Sequence, residues 1–134
     1  MKTYKEITQN IFDAKSSNIE DMKGKTFINI EITEDKERIY FETDSNELFL
    51  MYHEQDCCEE VYLEDVCGDI NNLLNAPIEF AECTQNHSED NDCDISSTWT
   101  FYKLATNKGY VTLRWYGESN GYYSEEVYIV KYIM

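Results

Sequence analysis

An α+β domain is predicted: an antiparallel sheet of about seven strands with one or two short helices covering one face. Three observations carry this. Apolar residues recur at helical spacing only near the start, at Ile7, Ile11 and Phe12. From Phe27 onward the period drops to two, with short polar turns between strand-like runs. The closing third holds long alternating segments joined by glycine-bearing turns.

In order, Thr3 to Ala14 reads as a short amphipathic helix. Ser16 or Ser17 caps a second helical turn, with Glu20 in its first turn and Gly24 as its stop. Phe27 to Ile32 alternates, placing Ile28, Ile30 and Ile32 on one face. A turn at Glu34-Asp35-Lys36-Glu37 leads to a strand over Arg38 to Thr43. Asp44-Ser45-Asn46 then turns the chain into Glu47 to Tyr52, which completes a meander. Glu60 to Val66 is a fourth strand. Asp69 caps a short helix through Leu74, and Pro77 ends it. Ile78 to Cys83 is strand-like, and Asn86 to Ser97 reads as a polar loop. Three strands follow: Thr98 to Thr106, Tyr110 to Tyr116, and Tyr122 to Tyr132. Between the last two, Gly117-Glu118-Ser119-Asn120-Gly121 reads as a turn. Val111, Leu113, Trp115, Val127 and Ile129 are expected in the core. Arg114 is expected on the opposite face among Tyr110, Tyr116 and a tyrosine of the last strand.

The 134 residues make one domain, 1–134, large enough to bury a core without staples. Net charge is -16, and its distribution is uneven. From Ile39 to Tyr102, 64 residues contain no lysine or arginine but 16 of the 27 acids, both histidines and all five cysteines. Such an anion is a poor ligand for nucleic acid or an anionic membrane, and favours a basic partner. No apolar run approaches the roughly 18 residues of a membrane helix. The start lacks the apolar segment of a signal peptide, so a cytoplasmic setting with reduced thiols is expected. Adjacent Cys57 and Cys58 are expected to stay unbridged.

Several clusters carry candidate chemistry. His53, Asp56, Cys57, Cys58, Glu59 and Cys67 include zinc-type ligands, but they lack paired ligand spacing. Cys83, His87 and Cys93 form a C-x3-H-x5-C pattern that matches no common zinc module. Asp90-x-Asp92-x-Asp94 opens like a calcium loop, yet Ile95 and Phe101 occupy the places where an EF-hand needs glycine and glutamate. Cys58 with His53 suggests a thiol nucleophile and base. The surrounding carboxylates would raise the thiol pKa, which argues against it. No phosphate-loop, dinucleotide or nucleophile-elbow motif is present.

Two long stretches are distinctive. One runs from Met51-Tyr52-His53-Glu54-Gln55-Asp56-Cys57-Cys58-Glu59 through Val61-Tyr62-Leu63-Glu64-Asp65 to Gly68-Asp69. The other joins Trp99-Thr100-Phe101-Tyr102-Lys103 and Lys108-Gly109-Tyr110-Val111-Thr112 to the run from Arg114 to Ser124. Together they resemble a family of small uncharacterised proteins of bacteriophages and prophage-bearing bacterial genomes. The resemblance covers most of the chain after Lys23, and Gln85 to Asp94 stands outside it. It implies a phage or prophage setting and no activity.

The leading expectation is a non-enzymatic binding protein in the cytoplasm of a bacterial host. It would occupy a basic, nucleic-acid-binding surface of a host protein, with counter-defence as the role. Glu59, Glu60, Glu64, Asp65 and Asp69 are the partner-binding candidates, expected to be exposed and near one another. One alternative is a sequesterer of a nucleotide-like molecule through Tyr110, Arg114, Tyr116, Asn120 and Tyr122. A second is a metal-binding structural or sensing module drawing on His53, Cys57, Cys83, His87 or Cys93. No catalytic residue, cofactor, direct nucleic-acid contact or membrane contact is expected. The protein is expected to be a monomer or small homo-oligomer.

Overall fold

The computed structural model describes residues 3–9, 14–90 and 95–134. It corrects the predicted class. The chain forms two antiparallel sheets of five and four strands, with one short helix, rather than a single helix-covered sheet. Among the described residues, α1 is only Tyr4–Ile7, capped by the Thr3 hydroxyl. Ile11 and Phe12 lie outside the described residues.

The strands are β1 (Lys15–Ser17), β2 (Phe27–Ile32), β3 (Arg38–Thr43), β4 (Glu47–Tyr52), β5 (Glu60–Cys67), β6 (Phe80–Asp90), β7 (Ile95–Thr106), β8 (Gly109–Ser119) and β9 (Tyr128–Ile133). The first sheet runs β1-β9-β4-β3-β2 and the second β5-β8-β7-β6. The meander over β2, β3 and β4 forms where the sequence predicts it. Its turns need positive φ, which Asn46 tolerates at 62° and which Lys36 also adopts at 62°. Both predicted helical turns are 3-10: Ile19–Met22, capped by Asn18 rather than a serine, and Ile70–Leu73, capped by Asp69.

One core joins the sheets. Phe27, Ile39, Phe41, Phe49, Met51 and Ile129 come from the first, and Val61, Leu63, Leu104, Val111, Leu113 and Trp115 from the second. Each large side chain buried here contributes roughly 1.5–3 kcal/mol. The expected core positions of Val111, Leu113, Trp115 and Ile129 hold, and Val127 packs against them. A bulge between Phe27 and Asn29 turns Phe27 inward and leaves Ile28 exposed, so the single apolar face expected for that strand is broken.

The outer faces of the two sheets differ. Tyr40, Leu48, Leu50 and Tyr132 line that of the first, covered by Tyr4 and Ile7 of α1. The Tyr4 hydroxyl donates to Glu42 (2.8 Å) and accepts from Asn29 (2.7 Å), which seats the helix. No helix among the described residues covers the outer face of the second sheet.

Two further corrections shape the candidate site. Asn86 to Asp90 and Ile95 to Ser97 are strand where a loop is expected: β6 continues to Asp90 and pairs with β7 residue by residue from Phe80–Ala105 to Asp90–Ile95, and residues 91–94 lie outside the described residues. Nor do the last two strands form a hairpin. β8 continues to Ser119 in the second sheet, and the segment 120–127 carries the chain into the first. Gly117 therefore lies within a strand, where it permits close approach. A Cβ there would sit 2.9 Å from Glu125 Cβ and 3.0 Å from its carbonyl oxygen.

Candidate functional site: an acidic and aromatic sheet face

Strand alternation places odd-numbered β7 residues and even-numbered β8 residues on the uncovered outer face of the second sheet. Register then aligns them into rows. Glu60 stands opposite Glu118, and Tyr62 opposite Tyr116, with Trp99 on Tyr116's other side. Asp65 stands opposite Arg114, which neighbours Phe101. Tyr110 continues this face beyond Thr112.

The aromatic row is a packed unit. Tyr62 and Tyr116 meet edge to face at 5.8 Å, and Trp99 lies 5.1 Å from Tyr116. The Tyr116 hydroxyl donates to Glu118 Oε2 (2.9 Å) and lies 3.2 Å from the Ser97 hydroxyl. Burial, then the charges of Glu64, Glu60 and Glu118, raise the Tyr62 pKa above its ordinary value. Those three carboxylates thus gather round one phenol.

Arg114 belongs to this face as predicted, but it is engaged. Its Nε lies 2.8 Å from Glu64 Oε1 and its Nη2 lies 3.8 Å from Asp65 Oδ2. Its tyrosine neighbours are those of β5 and β8. Tyr128 and Tyr132 sit in the other sheet, so no tyrosine of the last strand reaches it. Asn120 and Tyr122 are also elsewhere, on the segment that crosses between sheets. The five residues of the expected ligand face therefore do not converge.

Of the acidic candidates, Glu60, Glu64 and Asp65 are exposed on or beside this face. Asp69 is exposed too, but its carboxylate caps the 3-10 turn by accepting from Asn71 N–H (3.0 Å). Glu59 departs from expectation: its side chain is fully buried. It accepts from the backbone N–H groups of Asp56 and Cys57 and lies 3.3 Å from His53 Nε2. Burial pushes its pKa up, but the Asp56 N–H, His53 and the Cys57 N–H outweigh that and hold it below the usual carboxylate value. His53 Nδ1 donates to the Glu126 carbonyl (2.7 Å). Glu59 and His53 thereby staple the β4–β5 loop to the crossing segment.

The metal candidates are dispersed. The structure sets the Cys57 and Cys58 sulfurs against each other across a trans peptide, the pairing of a vicinal disulfide, where the sequence reading keeps them apart. Cys83 and His87 share a face of β6, but four strand steps set them about 13 Å apart, too far for one ion. Cys93, Asp92 and Asp94 lie outside the described residues. Among the described residues no three His, Cys, Asp or Glu side chains cluster as metal ligands.

The family described as "Domain of unknown function (DUF7448)" matches residues 20–129. The chain belongs to that family. The matched span includes every strand of the acidic and aromatic face, so this DUF7448 surface is part of the family's own domain and no appendage to it. No curated protein and no solved structure matches the chain. Among the described residues no helix is long and apolar enough to cross a membrane.

Residue spacing missed Tyr62, Trp99 and Glu118 as members of the face. The period of two within each strand marks them, but only the register of β5 and β7 on β8 brings them together.

Proposed function

We propose that the protein is a non-enzymatic binding protein whose acidic and aromatic sheet face docks on a basic surface of a partner protein. The observation that carries this is the Glu60–Glu118 pair. Two carboxylates stand directly opposite each other across β5 and β8, and no cation pairs with either among the described residues. Like charges in that position cost stability, and an incoming cation relieves them. Beside them Tyr62, Tyr116 and Trp99 offer ring faces and edges that suit arginine and lysine side chains. The resemblance to phage and prophage proteins supports a finer reading. In that setting the face would occupy a nucleic-acid-binding surface of a host protein, as a counter-defence inhibitor in the bacterial cytoplasm. The nucleotide-sequestering alternative has less support, because Glu64 and Asp65 already engage the guanidinium that would hold a phosphate.

The test is titration with a nona-arginine peptide, followed by backbone amide shifts. Shifts should concentrate on β5 and β8, and affinity should fall steeply with salt. The double variant Glu60→Gln with Glu118→Gln should bind at least about tenfold more weakly, as two charge contacts imply. Neutralising Glu34 and Glu37, on the β2–β3 turn, should change little. Equal weakening by both double variants would mean that bulk charge alone is being read, and would overturn the proposal.

A further inference from the structure

On the other side of the second sheet lies an open cleft of about 600 Å³, within the range of small-ligand sites. It shares no residue with the acidic and aromatic face. One wall is the inner face of the far β6–β7 hairpin, where His87 stands opposite Thr98 and Glu89 opposite Ser96. The other is the crossing segment from Gly121 to Glu126.

Glu125 anchors this site. It is 8% exposed, though it lies on a polar segment at the surface. Its carboxylate accepts from the Thr98 hydroxyl (2.8 Å) and from the Ser119 hydroxyl. With its proton given to Glu125, Thr98 Oγ1 accepts from His87 Nδ1 at 2.9 Å. His87 Nε2 lies 3.3 Å from Glu89 Oε1. Glu126 adds a third carboxylate, and no lysine or arginine lines the cleft. The hydrogen-bond partners of this buried carboxyl are neutral hydroxyls, so a cation entering the cleft would find a counter-charge that no lysine or arginine of the lining already engages. At the mouth stands Tyr122, 84% exposed, with Tyr123 edge-on at 5.2 Å. An aromatic ring this open gains nothing from the core, but it can cover a cation. The breadth of the cleft and the aromatic rings at its mouth suit an organic cation.

We propose that this cleft binds a guanidinium or ammonium group, with Glu125 and Glu126 as its counter-charges and Tyr122 packed over it. The group belongs either to a free small molecule or to an arginine or lysine of a partner. The proposal uses other residues than the docking face and does not rest on that reading.

Amide-resolved titration with arginine amide, with citrulline amide as the uncharged isostere, tests it. Arginine amide should give saturable shifts at Gly121, Tyr122 and Tyr123, and citrulline amide should give none. Tyr122→Ala should weaken binding about threefold to tenfold, and Glu125→Gln more. Because Glu125 is buried, Glu126→Gln serves as a second, exposed variant and should also weaken binding. The Glu60→Gln, Glu118→Gln protein should bind as the parent does. A blocked Gly-Arg-Gly peptide separates the sources. Tighter binding of the free amide assigns a small molecule, and tighter binding of the peptide assigns a partner side chain. Unsaturable shifts, equal response to citrulline amide, or indifference to Tyr122→Ala and Glu126→Gln would each overturn the proposal.

Discussion

Gly117 shows how much one missing side chain can position. It stands opposite Val61 and Thr98 on the inner face of the second sheet, and Glu125 lies directly over it. Gly117→Ala forces a methyl group to within 2.9 Å of Glu125 and 3.2 Å of Val61 Cγ2. The crossing segment must then lift. Such overpacking costs about 1–3 kcal/mol. Thermal denaturation should register the loss, and the amide signals of Tyr123 to Glu126 should move while those of the meander stay in place. Cys83 offers a second residue-level test. Lost hydration and the nearby Glu20 charge hold its thiol pKa above the ordinary value, against the bond to the Tyr102 hydroxyl. Its alkylation at neutral pH should therefore be slower than that of a free cysteine of ordinary pKa, measured by mass spectrometry of digested, timed samples. A faster rate would contradict the geometry around that sulfur.

Strand β8 separates the two kinds of residue a sheet carries. Trp115 is fully buried between the sheets, whereas the Arg114 side chain is 41% exposed on the outer face. Trp115→Ala should cost about 3–5 kcal/mol and endanger folding. Arg114→Ala breaks a solvent-screened pair and should cost less than about 1 kcal/mol. Chemical denaturation of both variants checks the contrast, and similar losses would show that the outer face is structural. Alternation made this division legible in the sequence, since it needs only the strand's own period. The meander was legible for a like reason: its turn residues sit between its strands, so every signal is local. β6 was not. From Glu82 to Glu89 its side chains are exposed on both faces, so no apolar alternation marks it, and only pairing with β7 makes it a strand. The candidate face was half legible. Arg114, Tyr110 and Tyr116 share one strand, but the carboxylates that surround Tyr62 come from two, and Glu59 looked as exposed as Glu60 until the loop folded over it.

Across the whole molecule, the charge imbalance of the linear chain is partly mixed in space. Glu47, inside the stretch that lacks bases, lies 2.6 Å from Lys25 and 3.1 Å from Lys131, which belong to the near-neutral flanks. Lys25, foremost, and Lys131 hold the Glu47 pKa below its ordinary value, against the opposing effect of burial. A carboxylate depressed in the folded state adds stability that is complete above its unfolded pKa and is lost as pH falls through the folded one. Denaturation midpoints should therefore drop on the acid side of the ordinary carboxylate range, and Glu47→Gln should flatten part of that drop. An unchanged acid profile in Glu47→Gln would show that these pairs contribute nothing.

The order of strands in the first sheet also sets a timetable. β9 lies between β1 and β4, pairing Lys15 with Lys131 and Leu50 with Val130. A nascent chain that has emerged only as far as β8 can close the second sheet and the meander. It still leaves β1 with no neighbour and β4 with a bare edge beside Leu48 and Leu50. The first sheet is thus assembled last-in, by insertion of a central strand rather than growth at a rim. Until residues 128–133 arrive, the ribosome-bound intermediate carries a sticky slot fitted to one segment, and it is open in the meantime to any other extended chain.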